Sequence, residues 1–491
     1  MTPATDITSG THRPGADERP LLEALPGRWP YVVTFMLSMS ALGLRFYPAL
    51  LLIALLLAHS WRNSRYDFLI QLMLIIGGYG FIDSSVTYFN LAQVGFALGV
   101  LFAFLLRKTV AVKKIVAFIA IYFVIMWGLA IYDDESIRHQ WSTINIFTQI
   151  IFFTVPLAIF AGRKFDYDKF VRTVFPYALT ACVFYILDAF VLSGWVLVPH
   201  MQRWGAFTAF YDLAWAPFSG WIVRKYPAGI YILTLLIVPL ARQYRIKLWQ
   251  WVVILIAVLC TQTASYISGL VVIFSLAQGG VVRTLKYFGI GFVALVGLYF
   301  VDDSMGRFQE DGVYYSPMRI SSTVHQFTDV LDLAQRANAD DIEDIADFGS
   351  GRVAQIIPAF EYINKMGYQW HGLGFLNNQK TDVPAYTIEN ELFRDTTQAE
   401  TSIGAVEVTV LRVYVYSGYI GLIAHILLYV LIYLVVRRMP HSGYFLSVMC
   451  AFVWFGIGGF EGLATHMGLT MVGTALAVPL LCARDDQYLE E

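Results

Sequence analysis

The sequence predicts an all-α polytopic membrane protein with about 12–14 transmembrane helices and one large, mainly helical extracytoplasmic loop near the C-terminus. Three observations lead to this prediction. The 491 residues are 57% hydrophobic and only 14% charged, as in integral membrane proteins. Apolar segments of near-spanning length recur along the chain. Among the last of them lies a polar stretch, 302–406, with 17 acidic and seven basic residues.

Residues 1–28 contain four prolines and lack the apolar core of a signal peptide, so we expect a disordered cytoplasmic tail. An N-terminal transmembrane bundle, 29–301, follows. Its candidate helices lie near 30–44, 46–60, 67–82, 86–106, 114–132, 143–162, 173–196, 227–241, 248–262, 264–281 and 285–301. Arg45 and Pro48 mark either a tight turn or a break within one long helix. Asp212 and Pro217 make 206–223 a re-entrant or interfacial segment.

The large loop, 302–406, separates this bundle from the C-terminal transmembrane helices, 407–483. Candidate spans there lie near 409–436, 443–460 and 465–483. A short cytoplasmic tail, 484–491, ends the chain. No repeat of 20–50 residues is visible, and the two halves do not mirror one another. This pattern weakens a transporter interpretation, because inverted repeats are common in secondary transporters.

The distribution of basic residues predicts the orientation. Alternate loops carry Arg62, Arg65, Arg107, Lys108, Lys113, Lys114, Arg163, Lys164, Lys169, Arg172, Arg242, Arg245, Lys247, Arg283, Lys286, Arg437 and Arg438. The opposite short loops hold only Arg45, Arg138, Arg203, Arg224 and Lys225. We therefore expect both termini in the cytoplasm and the large loop outside. Trp29, Trp61 and Trp141 at span ends are typical interfacial anchors.

Within the loop, the segment after Gly351 has the spacing of an amphipathic helix. Arg352 falls in its first turn, where a cation opposes the helix dipole, and this indicates an anionic partner. A nearby carboxylate is the simpler partner. His371, Gly372 and Gly374 form a tight connection after this helix. Trp370 beside them either stacks on a sugar or fills the loop's own core.

Other residue patterns exclude several kinds of site. All four cysteines (Cys182, Cys260, Cys450 and Cys482) lie in apolar segments, so we predict neither disulfides nor a cysteine-rich zinc site. The acidic run 339–347 lacks EF-hand spacing. Asp166 and Asp168 lie in a short loop and are interpreted as a solvated turn. We predict no metal, no cofactor and no nucleic-acid partner.

Four short motifs follow one another along the chain. They are Arg203-Trp-Gly205, Thr263-Ala-Ser265, Gly351-Arg352 opening a helix that closes on Gly372-Leu-Gly374, and Leu411 followed after six residues by Gly418-Tyr-Ile-Gly421. In this order, with a large outer loop, the chain resembles the superfamily of O-antigen polymerases (Wzy) and O-antigen ligases (WaaL), GT-C-like glycosyltransferases of bacterial envelope membranes. The resemblance covers roughly the C-terminal 60% of the chain by pattern.

Two departures from the superfamily pattern distinguish its branches. Glu407 and Val408 stand where the ligases have His and Asn, which favours a polymerase-type member. Tyr266 stands where the Thr-x-Ser motif usually continues with Arg. The resemblance implies that one phosphate contact is then supplied elsewhere, by Arg319 or Arg412.

The resemblance implies polymerisation of undecaprenyl-pyrophosphate-linked oligosaccharides at the periplasmic face of the bacterial inner membrane, by metal-independent inverting transfer. Glu407 is the implied base and Arg352 the main catalytic cation. The implied pyrophosphate-binding residues are Arg352, Arg203, Arg319 and Arg412. The implied glycan and loop contacts are His371, Trp370, Gly372 and Gly374. Donor and acceptor are both lipid-linked, and the expected protein partners are a chain-length regulator and a flippase.

Three alternatives remain at this point. A ligase would move finished polymer to a lipid A core, and Glu407 in place of His weighs against it. A lipid-linked oligosaccharide flippase or other transporter would need charged residues lining a cavity through both halves. A scaffold within an envelope complex would leave Arg352 and Glu407 dispensable.

Overall fold

The structure is a computed structural model, and it describes part of the chain. The described residues are 28–43, 48–78, 110–132, 154–187, 231–260, 264–277, 281–304, 308–310, 313–315, 320–321, 324–325, 363–364, 367–372, 409–457 and 466–483. The statements on structure that follow refer to these residues. The predicted span 86–106, the segment 206–223 and most of the predicted loop 302–406 lie outside them.

The described part of the chain is mainly helical, as the sequence predicts. Its helices are α1 Trp29–Gly43, α2 Pro48–Asn63, α3 Arg65–Gly78, α4 Val110–Tyr132, α5 Thr154–Ile159, α6 Tyr167–Leu187, α7 Thr234–Arg242, α8 Leu248–Cys260, α9 Ala264–Ala277, α10 Val281–Ser304, α11 Thr409–Val436, α12 Ser442–Ile457 and α13 His466–Cys482. Two short strands, β1 Phe308–Glu310 and β2 Val313–Tyr315, pair antiparallel with Phe308 opposite Tyr315. The sequence analysis did not predict this hairpin.

Most helices occupy the segments that hydropathy predicts. The helix α11 has the predicted bounds of 409–436, whereas α6 begins six residues before the predicted 173. Its extra turn is polar and is stabilised by an ion pair between Arg172 Nε and Asp168 Oδ2 at 2.6 Å. At the other end of the bundle, α10 continues to Ser304, so it includes Asp302, which the sequence assigned to the loop.

Asp302 belongs to the helix because its carboxylate is fully buried and hydrogen-bonded. Its Oδ2 accepts hydrogen bonds from the backbone amides of Ile320 at 2.8 Å and Ser321 at 2.9 Å. A carboxylate with charge-assisted bonds of this kind is stable in a buried position. The side chain therefore anchors the chain that returns to the end of α10. Hydropathy alone places this acidic residue outside the helix.

The helices α1 and α2 form an antiparallel hairpin, which resolves the two alternatives for Arg45 and Pro48. Near the start of α1, the Tyr31 hydroxyl donates to the carbonyl of Leu56, close to the end of α2, at 2.7 Å. Tyr31 also hydrogen-bonds Ser60. One long broken helix would hold these residues far apart, so α1 and α2 are two separate antiparallel helices.

The centre of the bundle is formed by α6, α7 and α13. In α7, all residues from Thr234 to Leu240 are buried. In α6, 78% of the residues in its apolar 18-residue stretch are buried. The helix α10 lies at the outside of the bundle. None of the residues in its apolar 18-residue stretch is buried, and Val293 is 70% exposed. An exposed apolar surface of this size is unfavourable in water and suits a lipid environment.

Among the described residues, three helices are long and apolar enough to cross a membrane. They are Tyr167–Leu187, Val282–Ser304 and Ser417–Val436, with mean hydropathies of 1.6, 1.7 and 2.4. Five shorter apolar helices accompany them. These helices fit a membrane protein by their length and composition.

A buried polar network joins α1, α2, α3 and α6 near Gln71, which is fully buried. The Gln71 amide donates to the hydroxyls of Tyr31 at 3.0 Å and Tyr177 at 2.9 Å. Its carbonyl accepts from Ser60 at 2.9 Å. The network continues to Asp67, which accepts from Tyr177 at 3.2 Å. A polar network whose members are paired fixes one arrangement of the helices.

We expect the substitution Gln71→Leu to destabilise the bundle by about 1–3 kcal/mol, because it leaves three hydroxyl groups without their partner. Denaturation of the purified protein in detergent, followed by its tryptophan fluorescence, measures this loss. Gln243→Leu is the matched control, since Gln243 is exposed in the turn after α7. Equal stability of the two variants would contradict a structural role for this network.

Candidate functional site

The helix α11 is broken at Gly418. This residue has φ 60° and ψ −162°, a backbone conformation that is essentially restricted to glycine. The two parts of the helix therefore do not share a continuous hydrogen-bond pattern across the break. The amides of Tyr419 and Ile420, just after the break, need acceptors from another part of the chain.

The segment Gly367–Gly372 belongs to the predicted loop and begins where a helix ends. Tyr368 N donates to Ile363 O at 2.9 Å, and Gly367 N donates to Asn364 O at 3.2 Å. With Gly367 at φ 76°, this pair of bonds is a Schellman C-terminal cap. The helix thus closes at Gly367, and the prediction that it closes on Gly372-Leu-Gly374 was wrong by five residues.

The tight connection predicted at His371 and Gly372 is confirmed as a second turn. Gly372 has φ 75°, and its amide donates to the carbonyl of Tyr368 at 2.7 Å. The positive φ explains why glycine is favoured at this position. Two glycine-dependent turns, at Gly367 and Gly372, give the segment a fixed curved shape.

This curved segment docks on the break in α11. Tyr419 N donates to Gln369 O at 2.9 Å, and Ile420 N donates to Trp370 O at 3.2 Å. The backbones are so close that a Cβ atom at Gly418 would overlap the backbone of Trp370 and His371. Glycine is therefore required at 418 for two reasons, its backbone conformation and the space above it.

An aromatic face lies where the docked segment meets α11. It consists of the exposed Trp370 of the segment and the partly exposed Tyr419 of the helix, with the buried Tyr414 packed behind them. The Trp370 ring is 5.7 Å from Tyr419, and Tyr419 is 5.0 Å from Tyr414. Trp370 is 60% exposed, so it does not fill the core of the loop. Exposed aromatic rings with polar edges suit stacking on the apolar face of a sugar. An interfacial anchor is the alternative role of such a tryptophan.

The buried side of α11 packs against α4. The buried residues of α4 recur at intervals of three and four positions: Val112, Ile115, Ile119, Tyr122 and Met126. On α11, a Cβ atom at Gly421 would overlap the Ser417 side chain of the same helix, and it would also come within 3.2 Å of Met126 Cε on α4. The second glycine of the Gly418-Tyr-Ile-Gly421 motif thus serves helix packing.

One buried residue of α11, His425, was missed in the sequence analysis. It is 9% exposed, its Nδ1 lies 3.0 Å from the Tyr122 hydroxyl of α4, and its ring is 5.1 Å from Tyr429. An ionisable residue inside an apolar span is a functional candidate by default. The signal was present in the sequence, since His425 is a lone imidazole in the predicted span 409–436.

The structure brings together part of the predicted site. Trp370 and His371 lie against α11 at Gly418, and Gly372 follows them directly in the chain. Arg412 lies in the first turn of α11, although its side chain is not among those described. The predicted residues outside the described part of the chain are Arg203, Arg319, Arg352, Gly374 and Glu407. Their roles stay predictions.

Tyr266 is a core residue and does not take the place of a phosphate-binding arginine. It is fully buried, with its ring 5.5 Å from Tyr231 and 5.2 Å from Phe455. This position therefore packs α9 against its neighbours. Among the described residues, no group of three or more His, Cys, Asp or Glu side chains is placed to hold a metal ion.

Comparisons with known proteins give no further assignment. No protein-family model, no curated protein and no solved structure matches this chain.

We expect Gly418→Ala to release the docked segment, because the added methyl group would overlap the Trp370 backbone and the strain of a non-glycine residue in this conformation adds about 1–3 kcal/mol. Cleavage by trypsin at Lys365 reports the release, since this lysine immediately precedes the segment. Gly289→Ala is the control, because nothing lies within 4 Å of a Cβ atom there. Equal cleavage rates for both variants would contradict the docking.

Proposed function

We propose that this protein polymerises lipid-pyrophosphate-linked oligosaccharide repeat units into O-antigen, capsular polysaccharide or exopolysaccharide. The proposed enzyme is a polysaccharide polymerase of the bacterial inner membrane with about 12–14 spans and its large loop in the periplasm. One observation carries most of the support. The loop segment with Trp370 and His371 docks on the helix that follows Glu407 and contains Arg412.

The docking supports a shared site because it joins distant parts of the chain. The sequence places Arg352 on the helix that precedes Gly367, and it places Glu407 two residues before the start of α11. Arg412 and Gly418 are six residues apart, or about 9 Å along a helix. The docked segment therefore links the end of the predicted helix that carries Arg352 to α11, the helix that follows Glu407 and contains Arg412.

The proposed reaction uses two kinds of side chain. Glu407 accepts the proton of the attacking sugar hydroxyl, whose oxygen forms the new bond to the anomeric carbon. The bond from that carbon to the pyrophosphate oxygen breaks, and the lipid pyrophosphate leaves with the electron pair. Arg352, with Arg203, Arg319 and Arg412, stabilises the departing charge, since a guanidinium binds two phosphate oxygens at once.

The aromatic face supports a glycan substrate. Trp370 and Tyr419 offer stacking surfaces beside the proposed chemistry. A polymerase is favoured over a ligase by Glu407, which stands at the position of the ligase histidine.

A transporter of the same lipid-linked substrate is the second candidate, because α11 is broken and broken helices form ion and substrate sites in transporters. In those sites the free amides of a half-helix bind the anion. Here the amides of Tyr419 and Ile420 are already bonded to Gln369 and Trp370. The break is therefore closed by the protein itself, which favours the enzyme.

Complementation of a strain that lacks the gene tests the proposal. We expect the deletion to leave single repeat units, and wild type to restore a ladder of polymer lengths on a gel. Arg352→Ala and Glu407→Gln should fail to restore it, with activity reduced by a factor of at least about 100 for the loss of the base. The amount of each variant in the membrane is measured in parallel.

Two matched substitutions serve as controls. Arg283→Ala lies on the predicted cytoplasmic side, and Glu490→Gln lies in the predicted C-terminal tail, so both should restore the ladder. Long polymer retained on its lipid carrier in the deletion strain would identify a ligase. Normal ladders from Arg352→Ala and Glu407→Gln would overturn the proposed site.

A further inference from the structure

A basic cluster lies at the opposite end of the bundle from the docked segment. It is formed by the end of α2, the start of α3, the chain between α5 and α6, and the first turn of α6. Its members are Arg62, Arg65, Arg163, Lys164 and Lys169. The sequence predicts the cytoplasm for this side, but it gives these residues no further role.

Arg65 is held firmly at the centre of this cluster. Its guanidinium carbon lies 3.0 Å from the centroid of the Trp61 ring. Its Nε and Nη1 are covered by protein, and neither has a hydrogen-bond partner among the described residues. Nη2 is not among the covered atoms. The guanidinium is thus oriented, partly desolvated and open on one side.

The two turns that carry the cluster are fixed to each other by Tyr66. Its ring lies 4.8 Å from Phe160 and 5.5 Å from Phe165, and its hydroxyl accepts a hydrogen bond from the Asp166 amide at 2.8 Å. Lys169 Nζ is 5.5 Å from the same ring. The arrangement is therefore part of the fold and not a chance meeting of surface side chains.

Arg163 lies close enough to Arg65 for the two charges to repel. Burial first, and then the charge of Arg163, lowers the pKa of the Arg65 guanidinium, which lies before the apolar part of α3. An arginine stays protonated despite such a shift, because its ordinary pKa is above 12. An anion bound between the two groups would relieve this repulsion.

The carboxylates that the structure describes near the cluster do not neutralise it. Asp67 pairs with Arg28 at 3.5 Å, and Asp168 pairs with Arg172 at 2.6 Å. Asp166 is the remaining acid of these turns, and it is exposed, with its Oδ1 accepting the Lys169 amide at 3.2 Å. Five basic residues thus face one carboxylate that has no ion-pair partner among the described residues.

The position of the cluster indicates what kind of anion it meets. Leu51 and Leu55 of α2 are 68% and 59% exposed. Arg62 lies on the same side of this helix, because Leu51, Leu55 and Arg62 occupy positions i, i+4 and i+11. In a membrane, the apolar part of such a surface contacts the acyl chains of the lipids, and the cations at its end contact the headgroups. Trp61, 44% exposed beside Arg65, is an interfacial residue by the same criterion.

We propose that Arg65 and Arg163 form a binding site for the phosphate of an anionic lipid headgroup, with Arg62, Lys164 and Lys169 around it. Arginine pairs bind phosphate oxygens through several charge-assisted hydrogen bonds. The site serves to hold one lipid at the junction of α2, α3 and α6. It is independent of the proposed glycosyl transfer and requires only that the bundle lies in a membrane.

Lipid binding to the purified full-length protein tests this site. Phosphatidylglycerol is titrated into neutral detergent micelles that contain the protein, and bound lipid is counted by native mass spectrometry. Phosphatidylcholine and inorganic phosphate are titrated in parallel. We expect Arg163→Gln to raise the half-saturating phosphatidylglycerol concentration about fivefold, as for one basic residue near a membrane surface. Arg65→Lys should weaken binding as well, since it keeps the charge and loses the planar fork.

The control is Arg283→Gln, because Arg283 is exposed on the same predicted side at the start of α10. It should bind phosphatidylglycerol like wild type. Arg163 is also exposed, so its replacement leaves the core intact and the result interpretable. Equal weakening by Arg163→Gln and Arg283→Gln would overturn the site. Saturation of the site by inorganic phosphate at the same concentration would overturn its assignment to a lipid.

Discussion

Every backbone amide inside an apolar surrounding needs an acceptor, and this constraint determines the shape of the molecule around Gly418. A helix satisfies its own amides except at its ends. The break at Gly418 creates a new helix end inside α11, and the carbonyls of Gln369 and Trp370 satisfy it. The loop segment, the aromatic face and the course of α11 therefore depend on one pair of hydrogen bonds.

Apolar packing and polar contacts have separate places in the bundle. The middle of α4 and α11 is packed by residues at alternating intervals of three and four, with His425 as a polar exception. Polar groups concentrate at the start of α3, where Gln71 joins the helices and Arg65 stays open to the outside. Such a division suits a lipid environment, because apolar burial gives helix association no hydrophobic driving force there.

Hydropathy predicts most of the helices because span length and composition are local properties. Hydropathy fails where a contact between residues far apart in the sequence determines the local structure. Asp302 is helical because Ile320 and Ser321 return to its carboxylate. The strands β1 and β2 had a local signal, since Asp311-Gly312 is a preferred dipeptide for hairpin turns. The motifs in the sequence single out Gly418 and Gly372 as functional glycines. Nothing in their spacing predicts that the segment Gly367–Gly372 docks on Gly418.

The docked segment also has a consequence for biosynthesis. Gly367–Gly372 precede α11 in the chain, and α4 precedes both. In the predicted orientation, the carbonyls of Gln369 and Trp370 are already outside when Tyr419 and Ile420 enter the membrane. The break in α11 can therefore be closed as the helix is inserted, by a part of the protein that was synthesised earlier. A chain that ended before Gly418 would lack the amides of Tyr419 and Ile420, so the curved segment would have no helix end on which to dock.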